Sequence, residues 1–344
     1  MTDRVLKGRA GGARSLAIVL TLGALVVGAG PAVAQDEAWT PPRTAWGEPD
    51  IQGMWPIGHL TGTPFERPEE MGEREFLTDE EYQERVDFLD ARSARFDTET
   101  DNNKLGMGHW AEVGQPNRRT SIVTDPPNGR LPPLTEEGQR RSADMRSTWQ
   151  PIDFDWVTDF DTWDRCITRG MPGSMFPLQY NNGIQIFQSP GQVVLQLEMI
   201  HEARVIPTDG RASLPAVISN WMGESRGHWE GDTLVIVTTN LHPGPTAVNG
   251  GGTTGAPRGN NMPISENAVI TERLTPTGPD TIDYEITVDD PTVYTTSWTA
   301  KLPWERDDSY EMFEYACHEG QYMVRDYINA SRADRAAEPA GEDG

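Results

Sequence analysis

Ile184-Gln185-Ile186-Phe187-Gln188-Ser189-Pro190-Gly191-Gln192-Val193-Val194-Leu195-Gln196-Leu197-Glu198-Met199-Ile200-His201 alternates apolar and polar side chains on both sides of a Ser-Pro-Gly turn. Alternation with period two is the signature of a half-buried strand, and the turn residues between two such runs make this a β-hairpin, Ile184 to Gln188 and Val193 to Ile200. The pattern persists downstream, at Ala203 to Pro207, Gly227 to Trp229, Thr233 to Thr239, Val269 to Thr275, Thr281 to Val288, Thr292 to Leu302 and Tyr310 to Cys317. Short turns such as Glu230-Gly231-Asp232 separate most of these runs. About eight successive strands with no helical pattern between them give a mainly β fold, an antiparallel meander over residues 180–328. Closure of that meander into a lipocalin-like barrel would remove its exposed edges. The glycine-rich stretch Asn249 to Asn261 is expected to be a loop over the structure, serving as a lid.

Residues 35–179 read differently. They are rich in proline, tryptophan and acids, with extended stretches such as Asp125-Pro126-Pro127-Asn128-Gly129-Arg130-Leu131-Pro132-Pro133. Two helices are expected there. Thr78-Asp79-Glu80-Glu81 is a capping box for a helix over 79–96, and Thr135 caps a short one over 135–147. This irregular region is expected to wrap the β core without forming a core of its own. The acidic end, 329–344, is expected to be disordered.

The N-terminus carries Arg4, Lys7, Arg9 and Arg14, then an apolar run from Leu16 to Gly30 and Ala32-Val33-Ala34 before Gln35. A basic start, an apolar stretch and an A-x-A site describe a secretory signal peptide over 1–34, cleaved after Ala34. A membrane anchor would need a longer apolar run without the interruptions at Gly23, Gly28, Gly30 and Pro31. The expected location is periplasmic or secreted, with no membrane insertion after processing. The formal net charge is −24, and Lys104 and Lys301 are the only lysines beyond the leader. Such a chain repels nucleic acid and anionic membrane surfaces; the partner expected under either functional reading below is a small-molecule ligand or substrate.

The two cysteines, Cys166 and Cys317, sit in polar motifs, Asp164-Arg165-Cys166-Ile167-Thr168-Arg169-Gly170 and Tyr315-Ala316-Cys317-His318-Glu319-Gly320. In an oxidising compartment they are expected to form a disulfide. A loop of this length would stabilise the fold by roughly 5 kcal/mol in the chain-entropy model. The competing reading is a Cys317 nucleophile activated by His318, but adjacent strand residues point to opposite faces. Strand alternation places Phe313, Tyr315 and Cys317 on one face of the last strand, and sets His201 at the end of the apolar row Val193, Leu195, Leu197, Met199.

The strings Arg118-Arg119-Thr120-Ser121-Ile122-Val123-Thr124-Asp125-Pro126-Pro127-Asn128-Gly129-Arg130, Arg165 to Gly170, Glu198-Met199-Ile200-His201-Glu202-Ala203-Arg204, Trp229-Glu230-Gly231-Asp232-Thr233-Leu234 and Tyr315 to Gly320 together resemble a family of secreted proteins widespread in environmental bacteria. The resemblance spans nearly all of the processed chain and implies no established activity. Separately, Ile51-Gln52-Gly53-Met54-Trp55 resembles the Gly-x-Trp start of lipocalin-like barrels.

Two functional readings follow. In the first, the chain is an exported lyase, isomerase or hydrolase acting on a small organic molecule or sugar derivative in a barrel-mouth pocket. His201 or His318 would act as general acid or base with Glu202 or Glu319 beside it. Arg165 and Arg169 would hold a substrate oxyanion, and Tyr180, Asn181 and Asn182 would add polar recognition. In the second, the barrel is a periplasmic binding protein for an apolar or amphiphilic ligand. No nucleotide-binding glycine loop follows a strand, and no Gly-x-Ser-x-Gly elbow is present. No cofactor is expected. A divalent metal between the His201-Glu202 and His318-Glu319 pairs would lack the spacing of a known zinc motif.

Overall fold

The structure is a computed structural model that describes residues 39–104, 106–145, 148, 152–242 and 262–337. The expected signal peptide, residues 249–261 and the last residues of the acidic tail lie outside the described residues. Among the described residues, ten strands form two antiparallel sheets. The four-stranded sheet has the order β1 (Gly53–Met54), β3 (Ile184–Ser189), β4 (Gln192–Leu197), β5 (Ala203–Pro207). The six-stranded sheet runs β2 (Val123–Asp125), β10 (Trp298–Glu305), β9 (Thr281–Asp289), β8 (Val269–Gly278), β7 (Thr233–Thr239), β6 (Glu224–Glu230). The antiparallel meander read from the sequence is present in part: β3 to β5 and β6 to β10 each follow hairpin order, but they lie in two sheets. No ladder among the described residues joins the two sheets, so closure into one barrel is not found there.

Alternation explains how the sheets share a core. Ile184 and Ile186 of β3 face Leu197 and Leu195 of β4, and Val193 faces Ile206 of β5. All are buried, as are Leu234 and Ile236, Ile270 and Leu274, Ile282 to Val288 at every second position, and Trp298, Ala300, Leu302 and Trp304. These residues form one hydrophobic cluster. Each large apolar side chain removed from water contributes about 1.5–3 kcal/mol. Ile51, Trp55, Ile57, Phe65, Ile122, Met171, Met175 and Phe176 join the same cluster from outside the meander. The sheets approach closely at β6, where a Cβ on Gly227 would stand 2.9 Å from Ile206 and 3.0 Å from Thr208.

One ion pair is built into this core. Arg204 of β5 donates through Nη1 and Nη2 to Glu272 of β8 at 2.9 and 2.5 Å, and the Tyr284 hydroxyl of β9 donates to Glu272 Oε1 at 2.7 Å. Ser225 and Thr238 accept from Nη2 as well. Both charged side chains are buried, so the pair depends on this fork geometry and on the surrounding donors.

Three helices complete the described chain: α1 (Asp79–Asp101), α2 (Glu136–Asp144) and α3 (Met323–Ala337). Thr78 and Glu81 cap α1 reciprocally, and Thr135 Oγ1 accepts from Gly138 N at the start of α2. Helix α3 corrects the expected disorder from residue 329, because it has a surface to dock on. Tyr327 meets Phe154 and Phe160 edge-on, Ser331 accepts from Phe154 N at 3.0 Å, and Arg335 bonds to Asp155 at 2.5 Å.

Three strand expectations also change. The strand from Val193 ends at Leu197, because Ile200 and His201 adopt positive φ and turn the chain. The strand expected from Thr292 begins at Trp298. Buried Asp290 holds a turn there, accepting from Ser265 N and Thr292 N. Residues 310–317 form no strand; their order comes from individual side-chain and disulfide anchors described next.

Candidate functional site

At the end of the four-stranded sheet where β3 begins and β4 finishes, several irregular segments converge on Glu198. This residue follows β4 directly and would point outward with Gln196 if the strand continued. The strand stops, and Glu198 turns inward to 1 % exposure. Its Oε1 accepts from Asn181 Nδ2 at 3.0 Å and from Phe313 N at 2.9 Å. Its Oε2 accepts from Gly183 N at 3.0 Å and from the Tyr310 hydroxyl at 2.6 Å. Four donors from two segments, 181–183 and 310–313, thus compensate one buried carboxylate, which is what burial of such a group requires.

A second carboxylate stands beside it. Glu112 accepts from Asn182 N at 3.2 Å and Asn182 Nδ2 at 2.9 Å, and its Oε1 lies 3.5 Å from the Tyr310 hydroxyl. Asn182 is itself locked by reciprocal 2.7 Å bonds with the Leu178 backbone. Asn181 adopts φ 54°, a conformation asparagine tolerates better than most residues. Two glycines make room for the acids. A Cβ on Gly58 would overlap Glu112 Oε2, and one on Gly183 would stand 2.8 Å from Glu198 Oε2.

Burial pushes the Glu112 carboxyl above its ordinary value, and the charge of Glu198 adds to this against the bonds from Asn182. Burial, the bond to Glu198 and the two nearby charges push the Tyr310 phenol up in turn, so it stays a proton donor. These groups open onto a cavity of about 610 Å³ lined by Trp110, Glu112, Asn181, Glu198, Tyr310 and Phe313, among others. Trp110 and Phe313 keep 49 % and 67 % of their surface exposed.

Of the residues singled out from the sequence, Asn181 and Asn182 belong to this site. They orient its carboxylates. Tyr180 stands behind it, edge-on to Trp110 at 4.9 Å and stacked with Tyr315 at 6.3 Å. Arg169 is 4 % exposed; Nη1 donates to Phe176 O at 3.2 Å, its charge lies 5.9 Å from the Trp163 ring, and burial pushes it down to about 10. Arg165 donates through Nε to Asp161 O at 3.2 Å. Cys166 and Cys317 form the disulfide, with Cα atoms 5.7 Å apart.

The remaining candidates lie elsewhere. Glu202 is partly buried and accepts from the Thr168 hydroxyl, with burial pushing its carboxyl up. His201 is exposed, not the end of a buried row, because the positive-φ turn at Ile200 carries it outward. His318 and Glu319 are exposed in a turn after Cys317. Phe313 is exposed while Tyr315 and Cys317 are half-buried, so the three do not share a buried strand face. No hydrogen bond, ion pair or ring contact links His201 to His318 among the described residues.

Glu112, Glu198 and Tyr310 were not legible as a site, since 86 and 112 residues separate them in turn and no motif joins them. The one available signal was an acid placed where an apolar strand ends. Comparison with protein-family models, curated proteins and solved structures gave no match.

Proposed function

We propose that the chain is an exported enzyme that performs general acid–base chemistry on a small polar organic molecule, sugar derivatives included, with Glu112 as the proton-transferring group. The observation that carries this reading is the Glu112 carboxyl on a cavity wall, desolvated and next to a phenol that is itself bonded to a second carboxylate. A carboxyl raised by burial is a better proton carrier than an ordinary one: it can release a proton to a leaving oxygen, or take one from a substrate hydroxyl or C–H. Glu198 would hold Tyr310 and Asn181 in place beside it.

The disulfide fits an oxidising compartment outside the cytoplasm, in line with the expected leader. A ligand held between the sheets, as in a lipocalin-like barrel, is less well supported. Trp298, Trp304, Tyr284 and the Arg204–Glu272 pair fill that space.

The test is a metabolite screen on the purified protein by thermal shift, followed by product detection by proton NMR for every stabilising compound. Replacing Glu112 with glutamine keeps the shape and removes the transferable proton. Turnover should fall by about 10²–10⁴-fold, the usual contribution of a positioned acid or base. Equal turnover by wild type and E112Q would remove Glu112 from the chemistry.

A further inference from the structure

The same cavity has an unbalanced charge. Its lining holds Glu112, Glu198 and Glu311 but no lysine or arginine. Elsewhere the chain pairs its acids readily, as in Arg273–Glu230, Lys301–Glu285 and Arg335–Asp155. Among the described residues, no lysine or arginine comes within ion-pairing distance of these three. His109 also lines the cavity, but its Nε2 lies 2.6 Å from the Lys104 carbonyl, where it is engaged away from the acids. Glu198 has four hydrogen-bond donors around it, yet none of them carries a positive charge.

The second element is aromatic. Trp110 and Phe313 expose large ring surfaces beside these carboxylates. Backbone bonds set both in place: Trp110 N donates to Met107 O at 3.1 Å and Phe313 N to Glu198. Aromatic faces next to carboxylates that have hydrogen bonds but no cationic partner attract a weakly hydrated positive centre, and they repel an anion of the same size. A bare metal ion fits less well, because no three His, Cys, Asp or Glu side chains among the described residues are grouped to hold one.

We propose that this cavity takes a small organic cation, a protonated amine or quaternary ammonium, with its charged head against Trp110 and Phe313 and balanced by Glu112 and Glu311. The inference rests on the proposed acid–base pocket and names what that pocket admits. A neutral polyol would leave the acids without a counter-charge, and a carboxylic acid would add to the repulsion.

Three probes of matched shape test it by isothermal titration calorimetry: choline, the uncharged 3,3-dimethylbutan-1-ol and the anionic 3,3-dimethylbutanoate. Choline should bind at least about tenfold tighter than the alcohol, the ratio expected of a charge met by partly desolvated acids. The anion should not bind, and added salt should weaken choline binding. E311Q and F313A alter exposed side chains whose loss should leave the fold intact; E311Q should weaken choline several-fold while leaving the alcohol unchanged, and F313A should weaken choline more than the alcohol. The inference is overturned if the alcohol binds as tightly as choline, if the anion binds tighter, or if neither choline nor n-butylammonium binds at millimolar concentration. Its failure is separable from that of the acid–base reading. Neutral substrates turned over by wild type but not by E112Q, with no cation bound, would sink the cation site alone; cation binding with turnover indifferent to E112Q would sink only the acid–base role.

Discussion

Replacing Glu198 with glutamine asks whether one carboxylate holds the pocket together. The carboxylate accepts two bonds on each oxygen, from Asn181 and Phe313 on one and from Gly183 and Tyr310 on the other. Glutamine keeps a single acceptor oxygen, so whichever way the amide turns, its nitrogen confronts two donors. If the nitrogen faces Gly183 and Tyr310, the hydroxyl can reverse and accept, which offsets one of the two losses. Hydrogen bonds to a charged group contribute about 1.5–3 kcal/mol each, and the two surviving bonds lose their charge assistance. The net cost is then about 2–4 kcal/mol. Urea unfolding followed by tryptophan fluorescence, with the disulfide intact, measures it. Amide exchange locates it, because the Phe313 N–H has Glu198 as its acceptor and should exchange at least about tenfold faster in E198Q. A change below about 0.5 kcal/mol together with unaltered Phe313 protection would show that the segment is held by something else.

Two further outcomes follow from buried charges. The folded state raises the Glu112 carboxyl above its ordinary value, so its contribution to stability is present below that value and is lost as pH rises through the raised one. E112Q should therefore gain on wild type in urea midpoints as pH rises above the ordinary carboxylate value; a difference independent of pH would contradict the shift. In the core, Arg204→Met leaves Glu272 buried with the Tyr284 hydroxyl as its main donor and should cost about 3–5 kcal/mol, whereas R204M/E272M should recover most of that loss. A double variant no more stable than R204M would refute this account of the pair.

The strands were legible because burial imposes a strict period. In β4 the half-buried and buried positions alternate without a break from Gln192 to Leu197, and the residue types follow them except at half-buried Val194. The same reading failed three residues later, since no pattern of residue types announces the positive φ of Ile200 and His201. It also mistook residues 310–317 for a strand. Tyr310 and Tyr315 are each held by a specific distant partner, Glu198 and Trp163, and spacing alone imitates alternation. The disulfide followed from compartment chemistry, and the pairing does join the two cysteine motifs. The candidate acids were harder to see. Glu112 and Glu198 become neighbours through glycine-made space and two asparagines, a geometry set by tertiary folding and not by local propensity.

The disulfide also has a topological consequence. Every strand from β3 at Ile184 to β10 at Glu305 lies between Cys166 and Cys317, inside one covalent ring. A protease that cuts any single bond within that ring opens it without detaching either piece, because the sulfur bridge still ties the two ends. In surroundings rich in secreted proteases, a nicked copy would remain one molecule, with its strands available to re-pair, until a reductant parts them.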